Sequence, residues 1–238
     1  MTSRPARCPV LCLPFAGAGA SFFRPWRDRA PAILDIVPVQ LPGREDRLDE
    51  EPYLDVGEAA EDLVAEVLEL GRDLPRIALF GHSLGAVLAY EVARRLAETL
   101  DPAAVRLIVS GCPGPLYQRT RRATGLPDAA FLEQVRGLAG YTHPALADPQ
   151  ARELLLPTIR ADVAMHESYR PGPIVPLPLP VSSVLGARDH LVSPAEAATW
   201  QVTSSLPLTQ VEVPGGHMYL AEAPDALLRV IEAAASEE

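Results

Sequence analysis

The sequence predicts an α/β fold, in which a mostly parallel sheet is covered by helices on both faces. Short apolar runs alternate with segments of helical periodicity, a pattern typical of such sheets. The length of 238 residues fits one domain of this class, because α/β folds often form a single unit of about 200–250 residues. Hydrophobic residues make up 48% of the chain, enough for a sizeable core. We therefore expect one domain over residues 1–238.

Six short segments that contain several apolar residues predict the strands, since each is short enough for a strand rather than a helix. They lie at residues 10–13, 36–41, 77–80, 105–110, 181–185 and 208–213. Five segments predict the helices that connect these strands or follow the last one. They lie at residues 21–30, 56–70 and 85–98, and two more begin at Pro194 and Pro224. At 56–70 the pattern is clearest, because Val64, Val67 and Leu68 recur at helical spacing opposite a row of acidic residues.

Between residues 113 and 173 the alternation stops. This stretch has no strand-like run, but residues 128–138 and 148–167 have helical character. Because the β/α pattern resumes at residue 181, we interpret the stretch as an insertion within one domain. Five prolines between residues 171 and 180 predict a stiff extended connection back to the sheet.

The chain contains no lysine and no asparagine, so all 21 basic residues are arginine. The missing lysine excludes a P-loop, a pyridoxal Schiff base and a Ser-Lys hydrolase. The missing asparagine excludes N-glycosylation, a Cys-His-Asn protease and an asparagine donor in an oxyanion hole. A GC-rich genome explains the absence of both residues more simply than selection for a function does.

Charge and cysteine content exclude further classes. A formal net charge of -10 argues against a nucleic-acid surface, and no apolar run approaches the roughly 18 residues of a membrane span. Cys8, Cys12 and Cys112 are odd in number and lack metal-ligand spacing. The start of the chain lacks the apolar segment of a signal peptide. We expect a soluble, cytoplasmic protein without a metal or cofactor.

The strongest motif is G-x-S-x-G at residues 81–85, directly after a predicted strand and directly before a predicted helix. In this context it predicts a nucleophile elbow, where two glycines permit a sharp turn that presents the Ser83 hydroxyl. The alternative is an ordinary turn of small residues between a strand and a helix.

A serine nucleophile needs a histidine base, and the chain has five histidines. His217 follows two glycines between the last strand and the last helix, where an α/β-hydrolase presents its base. We expect His82 to pack, because its side chain points away from that of Ser83. His143 and His166 lie in the insertion, and His190 follows an acid on a loop.

The acid of such a triad lies between the serine and the histidine in the sequence. Asp189 follows the strand at 181–185, at the edge of the sheet where catalytic groups gather. The strand at 105–110 is followed by Gly-Cys-Pro, without a carboxylate, which leaves Asp189 as the candidate. Asp148 and Asp162 are predicted to be surface or cap residues of helices in the insertion.

The oxyanion hole is expected to use backbone N–H groups. One donor is Leu84, which follows the nucleophile, and the other lies in the loop at residues 13–19. Gly17 and Gly19 also imitate part of a dinucleotide-binding fingerprint. However, the third glycine is missing, and the second strand is followed by Gly-Arg-Glu rather than a clean ribose-binding acid.

Together these motifs resemble those of the stand-alone type II thioesterases of modular polyketide synthases and nonribosomal peptide synthetases, which have the α/β-hydrolase fold. The matching segments are LPFAG at 13–17, SFFRPW at 21–26, QLPGRE at 40–45, FGHSLG at 80–85, RAD at 160–162, GARD at 186–189 and GGH at 215–217. The resemblance runs nearly end to end.

The resemblance implies a function and a set of roles. Such enzymes hydrolyse acyl or aminoacyl groups from the phosphopantetheine arm of acyl and peptidyl carrier proteins, an editing role in antibiotic biosynthesis. Ser83 would be the nucleophile, His217 the base and Asp189 the acid that orients it. Phe15 and Leu84 would be the oxyanion donors. The insertion at about 113–173 would form a helical lid over the acyl chamber.

Two further sets of residues have open interpretations. Arg119, Arg121 and Arg122 lie near the start of the insertion, where arginines suit the phosphate of the arm and an acidic carrier protein; a solvated loop is the alternative. Aromatic and methionine side chains are either chamber walls or core. They are Phe22, Phe23, Trp26, Met165 and Tyr169.

Other functions fit the same motifs. A small-molecule carboxylesterase or lipase would use the same triad, and the motifs do not separate it from a thioesterase. A non-catalytic binding protein with a hydrolase fold is a further alternative, against which the intact triad argues. The sequence leaves the oligomeric state open, with a monomer as the simplest expectation.

Overall fold

The computed structural model describes residues 7–71, 75–117, 122–139 and 144–236. Within them, six parallel strands form one sheet in the order β2-β1-β3-β4-β5-β6. The strands are β1 (Cys8–Leu13), β2 (Leu34–Pro38), β3 (Ile77–His82), β4 (Val105–Ser110), β5 (Val181–Gly186) and β6 (Thr209–Val213). All six predicted strands are confirmed.

The helices are α1 (Val56–Gly71), α2 (Leu84–Leu96), α3 (Asp128–Ala139), α4 (Pro149–Ser168), α5 (Pro194–Ala198), α6 (Tyr219–Glu222) and α7 (Pro224–Ser236). Helices α1 and α2 pack on one face of the sheet, and α7 packs on the other. Helices α3 and α4 lie in the stretch predicted to be an insertion, between β4 and β5. None of the helices in the described residues is long and apolar enough to cross a membrane.

Two predicted elements differ from the structure. Instead of one helix at 21–30 there are two short 3₁₀ turns, Ala20–Phe22 and Arg24–Asp28. Pro25 has no N–H to donate, and the neighbouring aromatic rings pack into the core in place of a regular helix. The second strand ends at Pro38 rather than at residue 41, and its last backbone bond to β1 is from the Val39 N–H to the Cys12 carbonyl at 3.1 Å.

The topology determines where a site can form. Because all six strands run parallel, their carboxyl ends lie at one edge of the sheet. The loops that follow β1, β3, β5 and β6 therefore come together at that edge, which is where α/β proteins place their ligands. The proline-rich connection contains neither a helix nor a named strand, and Leu177 attaches it to the body through hydrogen bonds with Thr203 and Ser205.

Candidate active site

Ser83 occupies a strained turn between β3 and α2. Its backbone has φ 53° and ψ −114°, and a non-glycine residue with positive φ costs about 1–3 kcal/mol. The surroundings maintain this conformation, since the Ser83 N–H donates to the Ser110 carbonyl at 2.8 Å. A Cβ at Gly81 would collide with the Gly85 carbonyl, and one at Gly85 would collide with the Leu13 carbonyl. The two glycines of the motif are therefore required by close backbone packing.

Asp189 and His217 form a buried hydrogen-bonded pair. His217 Nδ1 lies 2.8 Å from Asp189 Oδ2, and the side chains are 6% and 0% exposed. The other carboxylate oxygen, Oδ1, accepts from the N–H groups of Leu191 at 2.8 Å and Val192 at 3.3 Å. Burial raises the pKa of Asp189, but the hydrogen bonds from His217 and the two N–H groups more than reverse this and lower it. Since a carboxylate only accepts, His217 Nδ1 carries the proton.

The structure brings Ser83 and His217 to the same cavity. Both line a space of about 90 Å³ together with Phe15 and His82. A neighbouring cavity of about 370 Å³ is lined largely by apolar side chains of the loop after β1 and of the insertion. Phe15 and Met218 line both cavities, so a group attached at Ser83 would have an apolar space beside it.

The two residues predicted as oxyanion donors, Leu84 and Phe15, both lie next to Ser83. Leu84 is the first residue of α2, so its N–H has no carbonyl within the helix to bond to. The positive end of the helix dipole lies at the same point. Phe15 follows β1 and lines the cavity beside Ser83, and its carbonyl accepts from the Ala18 N–H at 2.9 Å, which closes the loop into a tight turn.

His82 is fully buried, as the packing prediction requires, but it also makes contacts that the sequence did not suggest. Its Nδ1 lies 2.9 Å from Ser110 Oγ, and that hydroxyl lies 2.5 Å from Tyr219 Oη. Tyr219 in turn donates to the Val184 carbonyl at 3.0 Å. The His82 and His217 ring centroids are 4.8 Å apart. Burial raises the pKa of Tyr219, so its hydroxyl keeps its proton and can donate to the Val184 carbonyl.

The other histidines and the three arginines near the start of the insertion lie at separate places in the chain. His166 lines the cavity with Ser83, His190 is exposed on the loop after β5, and His143 lies outside the described residues. Arg122 is exposed, whereas Arg119 and Arg121 lie outside the described residues. The described residues contain no group of three or more His, Cys, Asp or Glu side chains that could hold a metal ion.

One acidic residue of the insertion departs from the prediction. Asp148 caps α4 by accepting from the N–H groups of Gln150 and Ala151, as predicted. Asp162, however, is fully buried and forms an ion pair with Arg44, so its prediction as a surface or cap residue is wrong. The error arose because helical periodicity shows which residues share a face, but not that the loops after β1 and β2 cover this face.

The aromatic and methionine side chains are divided between core and cavity. Phe22 lines the larger cavity. Phe23, Trp26 and Met165 are buried in the hydrophobic core, and Tyr169 packs against it. Core packing therefore accounts for most of the set.

Comparison with known proteins agrees with this geometry. A family model described as a thioesterase domain matches residues 8–235. Thioesterase PikA5 from Streptomyces venezuelae is 36% identical over 211 residues, covering 89% of this chain and 75% of that protein. The gramicidin S biosynthesis protein GrsT from Aneurinibacillus migulanus is 31% identical over 218 residues, covering 91% and 84%.

A solved structure extends the similarity to three dimensions. The type II thioesterase BorB from the borrelidin biosynthetic cluster superposes with a TM-score of 0.86 at 34% identity, covering 98% of this chain and 95% of BorB. The predicted α/β-hydrolase fold is thereby confirmed. The loops that carry Ser83, Asp189 and His217 lie at the carboxyl edge of its sheet. On its sequence, fold and family-model match, the chain belongs to the thioesterase family.

Proposed function

We propose that this thioesterase hydrolyses acyl or aminoacyl groups from the phosphopantetheine arm of carrier proteins, an editing role in polyketide or nonribosomal peptide biosynthesis. The observation that carries the proposal is the buried Asp189–His217 hydrogen bond at the cavity that Ser83 lines from its strained turn. The names of the relatives support the choice of a thioester and a biosynthetic setting.

The first half of the reaction transfers the acyl group to the enzyme. Asp189 keeps the His217 proton on Nδ1, which leaves Nε2 able to accept the proton of the Ser83 hydroxyl. Ser83 Oγ then forms a bond to the thioester carbonyl carbon, and the oxyanion is stabilised by the N–H groups of Phe15 and Leu84. When the carbon–sulfur bond breaks, His217 gives this proton to the departing sulfur, which leaves as the thiol.

The second half releases the acid. Water replaces the thiol, His217 Nε2 accepts a water proton, and the hydroxide attacks the acyl-serine carbonyl. The same two N–H groups stabilise the second oxyanion. The ester bond to Ser83 breaks, the serine recovers its proton from His217, and the free acid leaves.

We include the insertion at about 113–173 in the proposal, as a lid over the acyl chamber within a single domain. Val135 of α3 and Val163 of α4 line the cavity beside Ser83, which supports a covering role. The larger cavity, of about 370 Å³, is lined by Leu146, Leu155 and Ile159 from the same stretch. An apolar acyl chain suits these walls better than a charged one does.

We also propose that the arginines near the start of the insertion, Arg119, Arg121 and Arg122, contact the carrier protein or the phosphate of its phosphopantetheine arm. Arg122 is exposed and directly precedes Ala123, whose N–H donates to Glu167 Oε1 at 2.6 Å. Since Glu167 lines the cavity with Ser83, Arg122 lies near the side of the active site. An arginine fork there suits a phosphate.

Mass spectrometry of acyl-loaded carrier proteins tests the function. The wild-type chain should release the acyl group, Ser83→Ala should release none above background, and Ser205→Ala, an exposed serine, should match the wild type. Faster turnover of soluble esters than of acyl carrier proteins would instead favour a carboxylesterase. Release by Ser83→Ala at the wild-type rate would contradict the mechanism.

A further inference from the structure

Arg44 and Asp162 form a buried ion pair beside the larger cavity, which Arg44 lines. Arg44 Nη1 and Nη2 each lie 2.7 Å from one carboxylate oxygen of Asp162. The two side chains are 6% and 1% exposed. Such a two-point contact requires the planar fork of arginine, and pairing is what makes burial of both charges tolerable.

The pair also fixes the loop that follows β1. Asp162 Oδ2 accepts from the Gly17 N–H at 2.7 Å, and Arg44 Nη1 donates to the Ala18 carbonyl at 2.9 Å. Gly17 has φ +80°, and a Cβ there would lie 3.0 Å from Ile159 of α4. The loop is therefore held against α4 both by packing and by hydrogen bonds to a buried ion pair.

The loop after β2 is attached to the same face of α4. Thr158 donates to the Gly43 carbonyl at 2.6 Å, one residue before Arg44. Thr158 and Asp162 are four positions apart, so they lie on one side of the helix. Two loops from the edge of the sheet thus converge on α4, and the ion pair lies at their junction.

We propose that Arg44 and Asp162 are positioning residues, which orient the Phe15 N–H of the oxyanion hole. The inference rests on the proposed function, since it assigns a role to the same loop. Phe15 lies between β1, which the sheet fixes, and Gly17, which Asp162 fixes. With both neighbouring segments held, and with the Phe15 carbonyl bonded to the Ala18 N–H, the direction of the Phe15 N–H is set.

This role predicts a specific kinetic signature. An oxyanion donor acts mainly in the transition state, so its displacement lowers kcat and leaves KM nearly unchanged. Loss of one donor costs about 10²–10³-fold. We expect Asp162→Asn, which weakens the pair, to lower kcat by about 10–100-fold on a small acyl thioester of N-acetylcysteamine.

Two further variants separate positioning from folding. Asp225→Asn makes the same chemical change in an exposed two-point pair with Arg29, outside the insertion, and it should retain wild-type kcat. The double variant Arg44→Met with Asp162→Leu removes both charges, a replacement that often preserves stability. We expect it to remain folded, with a Tm lowered by the unpaired Gly17 N–H and Ala18 carbonyl, and still to lose kcat because these two groups have lost their partners.

Amide exchange at Gly17 gives a readout that does not depend on turnover. The Gly17 N–H should be protected in the wild type and should exchange at least about tenfold faster in Asp162→Asn, since its acceptor is weakened. Wild-type kcat in the folded double variant, or an equal loss in Asp225→Asn, would overturn the inference. If the wild type released no acyl group, the proposed function would fail, and unchanged Gly17 exchange would then overturn the loop attachment separately.

Discussion

Asp189→Asn replaces a carboxylate by an amide of almost the same shape, and the structure determines how that amide is oriented. Asp189 Oδ1 accepts from the N–H groups of Leu191 and Val192, so the amide oxygen of the variant must take this position. The amide NH₂ group then faces His217 Nδ1, 2.8 Å away in the wild type. His217 Nδ1 must accept, which moves the ring proton to Nε2.

That change of tautomer removes the base, because Nε2 can no longer accept the Ser83 proton. The same substitution in a Ser-His-Asp triad costs about 10⁴-fold in kcat, or about 5.4 kcal/mol at about 1.36 kcal/mol per tenfold. We expect a similar loss here, with little change in Tm, since both backbone hydrogen bonds persist.

The assay is hydrolysis of an acyl N-acetylcysteamine thioester, followed by release of the thiol. Asp148→Asn is the matched control, because Asp148 is an exposed N-cap and asparagine caps a helix as well as aspartate does. It should retain wild-type kcat. A kcat of Asp189→Asn within about tenfold of the wild type, in a folded protein, would refute the assignment of Asp189 as the orienting acid, since the loss expected is about 10⁴-fold.

Two further predictions concern acid stability and carrier recognition. Burial raises the pKa of Glu91, but hydrogen bonds from Arg94, Tyr169 and Arg95 more than reverse this and lower it. The stability that Glu91 contributes should be present above about pH 4.5 and lost as the pH falls further. The difference in urea midpoint between wild type and Glu91→Gln should therefore shrink from pH 7 to pH 3.5. A difference that stays constant over this range would contradict the prediction. Arg122→Glu should raise the KM for carrier-bound substrate at least about tenfold and leave the KM for a small thioester unchanged. The control Arg229→Glu, at an exposed position of α7, should change neither KM. Equal effects of Arg122→Glu on both KM values would contradict the contact with the carrier protein.

The strands and the order of the site residues were predictable because local chemistry determines them. Runs such as 77–80 are apolar throughout, as strands buried on both faces tend to be. Parallel strands bring their carboxyl ends together, so Ser83, Asp189 and His217 could be placed at one edge from their positions after predicted strands. The two glycines around Ser83 carried a similar signal, since only a tight backbone turn requires both.

Contacts between distant segments could not be predicted in this way. Arg44 and Asp162 are separated by 118 positions, and neither residue has a neighbouring pattern that indicates burial. The hydrogen-bonded network of His82 has the same origin, since its partners Ser110 and Tyr219 come from other elements. The signal that could have pointed to these residues is that QLPGRE and RAD are among the segments that match the type II thioesterases, although such a match does not show that Arg44 and Asp162 are paired.

The insertion has two layers with different attachments in the described residues. Helix α4 is bonded to the body of the domain at three points along its length: Thr158 to the loop after β2, Asp162 to Arg44 and Gly17, and Tyr169 to Glu91 of α2. The segment around α3 is bonded instead to α4, through Arg160 to Asp128 and through Glu167 to the N–H groups of Ala123 and Thr124. A movement of α4 away from the sheet would break the hydrogen bond to Gly17 and release the loop that carries Phe15. Within the proposed lid, α4 is therefore the layer that is bonded to the body of the domain and to the loop that carries Phe15, whereas α3 and the segments beside it are bonded to α4.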